Sequence, residues 1–446
     1  MGSRIGIFMI TLLLIKSAVA LELNSEIGLE AAYQLALQHD ATYQAAYYEN
    51  QAGQQYKAIG RASLLPVISA NYSKYKNKAE VEFESAQASR TEHRDYDSEV
   101  GALQLRQPII NFDAMARYRL GNAQATLSNQ EFAIRTQELI VRVFNQYTAA
   151  LYAEDVLVLA TAQRQAYAEQ KKSNEVMFKQ GEGTKTDTLE SQAKFDLAEA
   201  EVIEAQDALS NERNKLAQLL GQEVIGLNHL LADFRTQPMQ PASLLEWKTI
   251  ALQQNTEIMA AQYALEIAKE DVNRNRAGHF PRLDAVASLS RNASDTVNSF
   301  NQTANTASVG LQLTVPIYAG GSVTAYTSQA QSNVQKAQAE LDKKVNDIQV
   351  ELQKQFNVIL SSERRLNALE VAVKSAELLI EATQKSIKGG TRTNLDALNA
   401  ARKLFEAKRD LALARYNYLQ SYINLRKAAG TLGLADLQSV ATYFKP

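Results

Sequence analysis

Apolar and polar positions along the chain follow two different periods, and the change between them occurs in both halves. Over residues 283–290 and 308–315, apolar and polar side chains alternate almost one by one. Over residues 113–179 and 322–388, apolar side chains instead recur every three or four positions. A period of two is typical of a strand with one apolar face, and a period near 3.6 is typical of an amphipathic helix. The pattern therefore predicts strand pairs that lead into two unusually long helices.

The two long helical stretches set the scale of the molecule. At a rise of about 1.5 Å per residue, each helix would be about 100 Å long, which no compact domain requires. In the second stretch the apolar positions keep a seven-residue spacing, which predicts left-handed coiling around a partner helix. This heptad seam consists of Leu366, Leu369, Val373, Ala376, Ile380, Thr383 and Ile387, with Thr383 as its polar member.

The two halves of the chain repeat one another. The segment GRASLLPVISA, from residue 60, is matched by NRAGHFPRLDA, from residue 275, and Pro108 is matched by Pro316 within a second shared motif. A third match pairs Gly181 with Gly390, Thr184 with Thr393, and Asp187 with Asp396, each 209 positions apart. Motifs that recur in one order at a nearly constant spacing indicate an internal duplication.

Each repeat is expected to contain the same series of elements. The first repeat, residues 21–237, is expected to have a helix at 28–60, a β-hairpin at 64–110, a long helix at 113–179 and a helix at 184–220. The second repeat, residues 238–446, is expected to have a helix at 242–276, a β-hairpin at 281–317, a long helix at 322–388 and a helix at 391–429. The polar segments 77–97 and 291–306 are expected to be the hairpin loops, at an extracellular surface.

The alternating strands are expected to lie in a membrane. One such strand alone fits a half-buried strand of a soluble sheet at least as well. Two hairpins with strands of about ten residues and polar loops are typical of a transmembrane β-barrel. Four strands cannot close a barrel, and an open edge cannot face lipid because its backbone groups would be unsatisfied. Several chains must therefore pool their strands, and three chains would supply twelve.

Composition narrows the functional classes. Residues 1–20 have a basic start at Arg4, an apolar core and a small-residue end, so we expect a signal peptide rather than an uncleaved anchor. The chain has 47 basic and 49 acidic residues, and this balance does not favour nucleic acid as a partner. It has no cysteine and four scattered histidines, so neither disulfides nor a metal site is expected.

Several motifs closely resemble those of the TolC-type outer-membrane channel proteins. These are ARYNYLQSYINLRKAAGTL at 414–432 and GTRTNLDALNA at 390–400, while LEAAYQLALQHDATYQAA at 29–46 and GRASLLP at 60–66 are similar to the subgroup that serves type I secretion. The resemblance covers nearly the whole chain after the signal peptide. It implies a mainly α fold with membrane β structure. In that fold a homotrimer forms a twelve-stranded β-barrel in the outer membrane of a Gram-negative bacterium, continued by a twelve-helix α-barrel across the periplasm.

The resemblance also implies a function and partners. It implies an exit duct of a type I protein secretion system, working with a periplasmic adaptor (membrane fusion) protein and an inner-membrane ABC transporter, with its barrel in outer-membrane lipid. The alternative is the outer-membrane component of a multidrug or small-molecule efflux pump. A coiled-coil structural protein would explain the helices but neither the alternating strands nor the duplication.

No enzyme and no cofactor are expected. The segment GEGTKT at 181–186 lacks the spacing of a phosphate-binding loop, and a helix rather than a strand precedes it.

The two repeated turns are the candidate functional site. They are KQGEGTKTDTL at 179–189 and KGGTRTNLDAL at 388–398, with turn glycines Gly181, Gly183, Gly389 and Gly390. In a closed trimer, Asp396 would form a ring of three carboxylates, which would raise one another's pKa and favour cations at the periplasmic constriction. The alternative is that Asp187 and Asp396 complement the positive ends of their helices.

A latch between the turns is implied by the resemblance. Arg392 would join the second hairpin to a neighbouring first hairpin by reaching toward Thr186 and Asp187, and opening would break these charge-assisted hydrogen bonds. Many TolC-like members have a tyrosine and a second aspartate where this chain has Ile387 and Asn399. This difference implies a weaker latch and a less acidic constriction at Asp396 and Asn399.

Overall fold

The computed structural model describes residues 26–85, 88–294 and 300–445, so the expected signal peptide at residues 1–20 lies outside the described residues. The helices are α1 Leu29–His39, α2 Ala41–Ala62, α3 Phe112–Gln180, α4 Lys185–Leu220, α5 Leu244–Gln254, α6 Thr256–Arg276, α7 Ser322–Lys388, α8 Asn394–Ala429 and α9 Leu434–Ala441. The strands are β1 Val67–Ser85, β2 Ala88–Ile110, β3 Arg282–Ser294 and β4 Gln302–Thr314. Among the described residues, no helix combines the length and the apolar character needed to cross a membrane.

The four strands form one antiparallel sheet in the order β1-β2-β3-β4. The alternation in sequence separates its two faces. One cross-strand row on the first face is Ile68, Leu105, Ala287 and Val309, and the next row, on the opposite face, is Ser69, Gln104, Ser288 and Ser308. On the apolar face of one chain Val309 is 88% exposed. The sheet therefore presents apolar surface on one side, and its outer strands β1 and β4 have unpaired edges within the chain.

The first hairpin is longer than the sequence pattern predicts. The segment 77–97, expected as a loop, instead continues β1 to Ser85 and begins β2 at Ala88. β3 pairs with β2 only as far as Ser98, so the first hairpin continues as a two-stranded ribbon. Lys76 and Lys78 lie opposite Asp97 and Asp95 in this ribbon. Opposite charges in facing positions stabilise paired strands. The segment 78–84, KAEVEFE, does alternate apolar and charged residues, but its high charge content resembles that of a loop.

The second hairpin loop is shorter than expected. The segment 291–306 was expected as a loop, but β3 extends to Ser294 and β4 begins at Gln302. The strand ends are rich in Asn, Ser and Thr, a composition that resembles that of a loop, but their backbones continue the ladder between β3 and β4.

Two helices that were expected to be continuous are each broken into a pair. The helix expected at 28–60 is divided at Asp40, and the helix expected at 242–276 is divided at Asn255. The Asp40 carboxylate accepts the amide of Thr42 at 2.7 Å, and the Asn255 side-chain oxygen accepts the amide of Ile258 at 2.9 Å. Side-chain oxygens that bond early amides begin a new helix, so the chain changes direction at both positions.

Asp40 and Asn255, the residues at the two helix breaks, are held against α3 and α8 by different kinds of contact. Asp40, which is buried, forms an ion pair with Arg142 of α3. The Asn255 side-chain nitrogen donates to the carbonyl oxygen of Ala428 in α8 at 2.8 Å. One polar side chain therefore both starts the second helix of each pair and holds it against a long helix.

The largest core lies at the middle of α3, where α1, α5 and α9 surround it together with α7 and the end of α8. Its fully buried side chains include Phe144, Tyr147, Trp247 and Leu352. On the side of the core toward the sheet, α2 approaches α3 closely, and a Cβ on Gly121 would lie 2.3 Å from the carbonyl oxygen of Tyr56. Only a glycine fits that crossing. Toward the two helix turns, the described residues form only small buried clusters, so the hairpins bury little apolar surface there.

Candidate functional site

The turns at the far ends of the two hairpins have the same backbone geometry. α3 is followed by Gly181, whose φ is 79°, and α7 is followed closely by Gly390, whose φ is 71°. The amide of Glu182 donates to the carbonyl oxygen of Met177 at 2.9 Å, and the amide of Thr391 donates to that of Ser386 at 3.0 Å. These bonds terminate a helix through a left-handed residue, a conformation that favours glycine.

The other two turn glycines have different reasons to be present. Gly389 has a φ of −86°, and an added Cβ would come no closer than 3.6 Å to its neighbours, so its conformation does not require glycine. A Cβ on Gly183 would lie 3.2 Å from the Cβ of Met177. The first turn therefore has little space for a side chain at the position that Arg392 occupies in the second turn.

Both aspartates of the turns cap the helix that follows. The amide of Thr184 donates to the Asp187 carboxylate at 3.2 Å, and the amide of Thr393 donates to the Asp396 carboxylate at 3.0 Å. Each threonine hydroxyl in turn accepts the amide of its aspartate, which completes a reciprocal capping box. The hydrogen bonds from Thr393, with a further contribution from the nearby charge of Arg392, hold the pKa of Asp396 below its ordinary value.

The proposed latch residues are not joined within one chain. Arg392 is exposed, and no hydrogen bond or ion pair links it to Thr186 or Asp187 in the part of the chain that the structure describes. Asn399 is half-buried near the start of α8.

The first and second helical hairpins contact each other through α3 and α8. The Asn394 side chain lies 3.9 Å from the Met177 sulfur, and the Tyr167 hydroxyl lies 3.5 Å from the carbonyl oxygen of Leu398. Both distances are at the long limit for hydrogen bonds of their kind. Tyr167 is nevertheless buried, in a small cluster with Ala198 and Leu398. Contact between the two hairpins near the turns is therefore mainly apolar.

A charged groove of about 610 Å³ runs between α3, α4 and α8 above this cluster. Its lining includes Glu201, Glu204, Arg402, Glu406 and Arg409. Interspersed charges of both signs on helical walls suit a polar helical partner better than a small apolar ligand.

The sequence pattern did not indicate one polar residue of the site, Asn174. This side chain is 2% exposed, and its nitrogen donates to the carbonyl oxygen of Asp187 across the first hairpin at 3.1 Å. Its position matches Thr383 of the predicted heptad seam, 209 residues later. The repeat alignment was therefore the signal that could have located it.

Two long helical hairpins are connected to a four-stranded sheet with one apolar face. This architecture is that of an outer-membrane channel subunit. The outer membrane protein VceC from Vibrio cholerae has a similar solved structure, with a TM-score of 0.76 over 90% of this chain and 96% of that chain at 19% sequence identity. The expected fold class, mainly α with membrane β structure in a TolC-like channel built by duplication, is confirmed.

The chain belongs to the Outer membrane efflux protein family, whose profile matches residues 32–222 and 247–431. The two matched segments correspond to the two repeats. The resemblance to TolC-type proteins is thereby confirmed, as is the location in the outer membrane with an extension into the periplasm. The family implies a trimeric channel that works with an adaptor and an inner-membrane transporter, and its members are channel proteins.

Three relatives cover most of the chain. The alkaline protease secretion protein AprF of Pseudomonas aeruginosa is 42% identical over 420 residues, which is 94% of this chain and 87% of that protein. The proteases secretion protein PrtF of Dickeya chrysanthemi is 37% identical over 94% of this chain and 91% of that protein. The outer membrane protein TolC of Escherichia coli (strain K12) is 31% identical over 75% of this chain and 70% of that protein.

Proposed function

We propose that the protein is the outer-membrane exit duct of a type I protein secretion system. The observation that carries this proposal is the similarity, over nearly the whole chain, to two proteins named for protease secretion. The duct would receive unfolded substrate from an inner-membrane ABC transporter and a periplasmic adaptor. The proposal assigns no catalytic step to the chain.

The unpaired edges of the sheet support assembly into a trimer. β1 and β4 each leave one edge open, and the apolar face that includes Val309 is exposed in a single chain. Pairing β4 of one chain with β1 of the next would satisfy these edges around a closed ring. Three chains would place the apolar face toward lipid and the face with Ser69, Gln104 and Ser288 toward the channel.

The charge of Asp396 supports a cation-favouring constriction at the periplasmic entrance. Capping by Thr393 favours the ionised carboxylate, so the helix-capping role and the proposed gate role are compatible. In the trimer, three Asp396 carboxylates with three Asn399 amides would line the narrowest part of the entrance. Arg392, exposed and near its own Asp396, would reach Thr186 and Asp187 of the neighbouring chain in the closed state.

The charged groove beside α8 supports docking of the adaptor. A helical hairpin of the adaptor would fit between α4 and α8, where Glu201 and Arg409 line the groove. Such a contact spans both hairpins, so an adaptor that binds better when they are apart would favour the open entrance.

Reconstitution of secretion tests the proposal. The chain would be expressed in a Gram-negative host lacking its own outer-membrane secretion component, together with an ABC transporter, an adaptor and a protease that this transporter exports. We expect protease activity in the medium, dependent on all three export components. Protease retained in the cells despite folded channel in the outer membrane would contradict the proposal.

A second candidate function, efflux of small molecules, is favoured by the family description. It is tested in the same host by replacing the transporter with a drug efflux pump and its adaptor. Restored drug tolerance without protease export would favour efflux over protein secretion.

A further inference from the structure

Equivalent polar residues are buried at the same place in both hairpins. Asn174 and Thr383 each lie seven residues before the left-handed glycine of their turn. Asn174 is 2% exposed and Thr383 is 1% exposed. Seven residues of helix correspond to about 10 Å, so both positions lie close to the entrance. Their bonding differs between the hairpins.

In the first hairpin, Asn174 joins the two helices directly. Its side-chain nitrogen donates to the carbonyl oxygen of Asp187, in the first turn of α4, at 3.1 Å. The hydroxyl of Ser191, which is also fully buried, donates to the same oxygen at 2.9 Å. Gln170 donates to the Asn174 side-chain oxygen at 3.0 Å. This polar network is satisfied on both sides, and it fixes α3 relative to α4 beside the turn.

In the second hairpin the corresponding network is absent among the described residues. The Thr383 hydroxyl is buried without a hydrogen-bond partner. Ala400 stands in the place of Ser191, and Leu379 stands in the place of Gln170. At the level of Thr383 no side-chain hydrogen bond joins α7 to α8 among the described residues, and an unsatisfied polar atom is buried there. The ion pair between Lys408 of α8 and Glu377 of α7, at 3.0 Å, lies about one and a half turns farther from the glycine turn and is partly exposed.

We propose that Asn174 is a positioning residue that fixes the end of α3 against the start of α4, and that the second hairpin lacks this constraint at Thr383. Because Thr383 provides no such bond, α7 and α8 separate more readily, and their separation near the second turn accompanies opening. The part of the inference that concerns opening rests on the proposed function as a duct. The part that concerns the bonding of the hairpins does not.

Amide hydrogen exchange of the purified full-length channel in detergent tests the proposal, together with single-channel recordings in planar bilayers. Thr383→Asn introduces the amide that could donate to the carbonyl oxygen of Asp396. Thr383→Val is its matched control, because it also removes the unpaired hydroxyl but cannot form the bond. Asn174→Thr and Asn174→Leu are the corresponding pair in the first hairpin, and Leu retains the size of the side chain without a donor.

We expect amides at 384–396 to exchange faster than those at 175–187 in the unmodified channel. One net hydrogen bond changes such a local opening equilibrium by about five-fold. Thr383→Asn should slow exchange at 384–396 about five-fold relative to Thr383→Val and should make wide openings rarer. Both Asn174 variants should speed exchange at 175–187 by a similar factor.

Two results would overturn the proposal. The first is equal exchange at the two hairpin ends of the unmodified channel, a comparison that requires no variant to fold. The second is equal exchange at 384–396 in Thr383→Asn and Thr383→Val. Failure of the unmodified chain to export protease would count against the proposed function instead, and it would leave the exchange comparison unaffected.

Discussion

At the scale of single residues, the two turn aspartates have the same local role and different surroundings. Asp187 and Asp396 both accept the amide of the threonine three residues earlier. Capping therefore cannot distinguish them, whereas the proposed constriction involves Asp396 alone. Any functional difference between the two carboxylates must come from their positions in the assembled channel.

We predict that Asp396→Asn lowers the cation selectivity of the channel, whereas Asp187→Asn leaves it nearly unchanged. Three carboxylates at roughly 8 Å from a passing ion in water concentrate monovalent cations about ten-fold at low ionic strength, and salt screens this effect. Reversal potentials in planar bilayers under a potassium chloride gradient measure it. Asp187→Asn is the matched control, because it removes an equivalent cap. Equal selectivity in both variants would exclude the ring of carboxylates at Asp396.

The selectivity should also persist to low pH. The pKa of Asp396 is lowered by its hydrogen bonds to Thr393. At any pH above the ordinary aspartate pKa, Asp396 is therefore charged and stabilises the start of α8. The charge and the stabilisation are lost as pH falls through the lowered pKa. We predict selectivity that is constant from pH 8 to about pH 4, near the ordinary aspartate pKa, and declines only below it. A midpoint above about pH 5.5 would mean that repulsion among the three carboxylates outweighs capping.

At the scale of elements, the sequence indicated the long helices and the strand faces better than the interruptions. Period-two alternation at Leu283 and Val309 and heptad spacing at Leu366 are properties of the chain alone, because burying one face requires them. The break at Asp40 was missed because apolar periodicity continues across it. The available signal was an aspartate, a residue type that often begins helices, followed by helical sequence, and Asn255 repeats this signal in the second half.

In the candidate site, too, the local features could be predicted from the sequence, whereas the contacts between helices could not. The turns and their capping residues could be predicted because glycine and the Thr-x-x-Asp pattern act locally. The bond from Asn174 to Asp187 depends on the register of two helices that the turn alone sets. Whether a polar residue buried between the helices of a hairpin, such as Asn174 or Thr383, finds a partner therefore required the structure.

The two helix breaks differ in charge, and this difference predicts their response to exchange of Asp and Asn. Asp40→Asn retains the cap but leaves Arg142 without its counter-charge, so we expect a loss of about 1–2 kcal/mol. Asn255→Asp places a carboxylate in a buried site facing the carbonyl oxygen of Ala428, so we expect a larger loss of about 3 kcal/mol.

The midpoint of heat denaturation of the purified channel, for Asp40→Asn and Asn255→Asp, measures this order. Asp40→Ala, which loses both the cap and the charge, serves as the reference for full loss of the first site. A smaller effect of Asn255→Asp than of Asp40→Asn would contradict the assignment of the ion pair to the first repeat alone.

At the scale of the whole molecule, the length of the particle follows from its elements. α3 has 69 residues, which correspond to about 100 Å of helix, and the membrane part adds about 40 Å. The helical hairpins of one chain bury little beside the turns, and the sheet has two free edges. One chain therefore supplies only part of the wall of the channel. Its free sheet edges and exposed hairpin surfaces are covered only when the assembly closes.

Closure of the sheet by three chains can be tested with engineered disulfides, because the chain has no cysteine of its own. Val309→Cys on the apolar face of β4 would be combined, one at a time, with cysteine at Ile68, Ala70 or Tyr72 on the same face of β1. A disulfide requires Cβ atoms about 3.5–4.5 Å apart, so only the pair in register between neighbouring chains should oxidise efficiently. We predict that this pair yields a covalent trimer on a non-reducing gel.

The species formed identify the symmetry of the assembly. In a closed ring of three chains, complete oxidation of that pair ends at three chains, and dimers appear only as incomplete products. Val309→Cys alone is the control and should remain monomeric, because the ring holds its three copies on separate β4 strands. A ladder that extends beyond three chains would contradict closure by three chains. An open sheet would leave backbone groups at its strand edges unsatisfied in lipid, so we expect the ladder to end at the trimer.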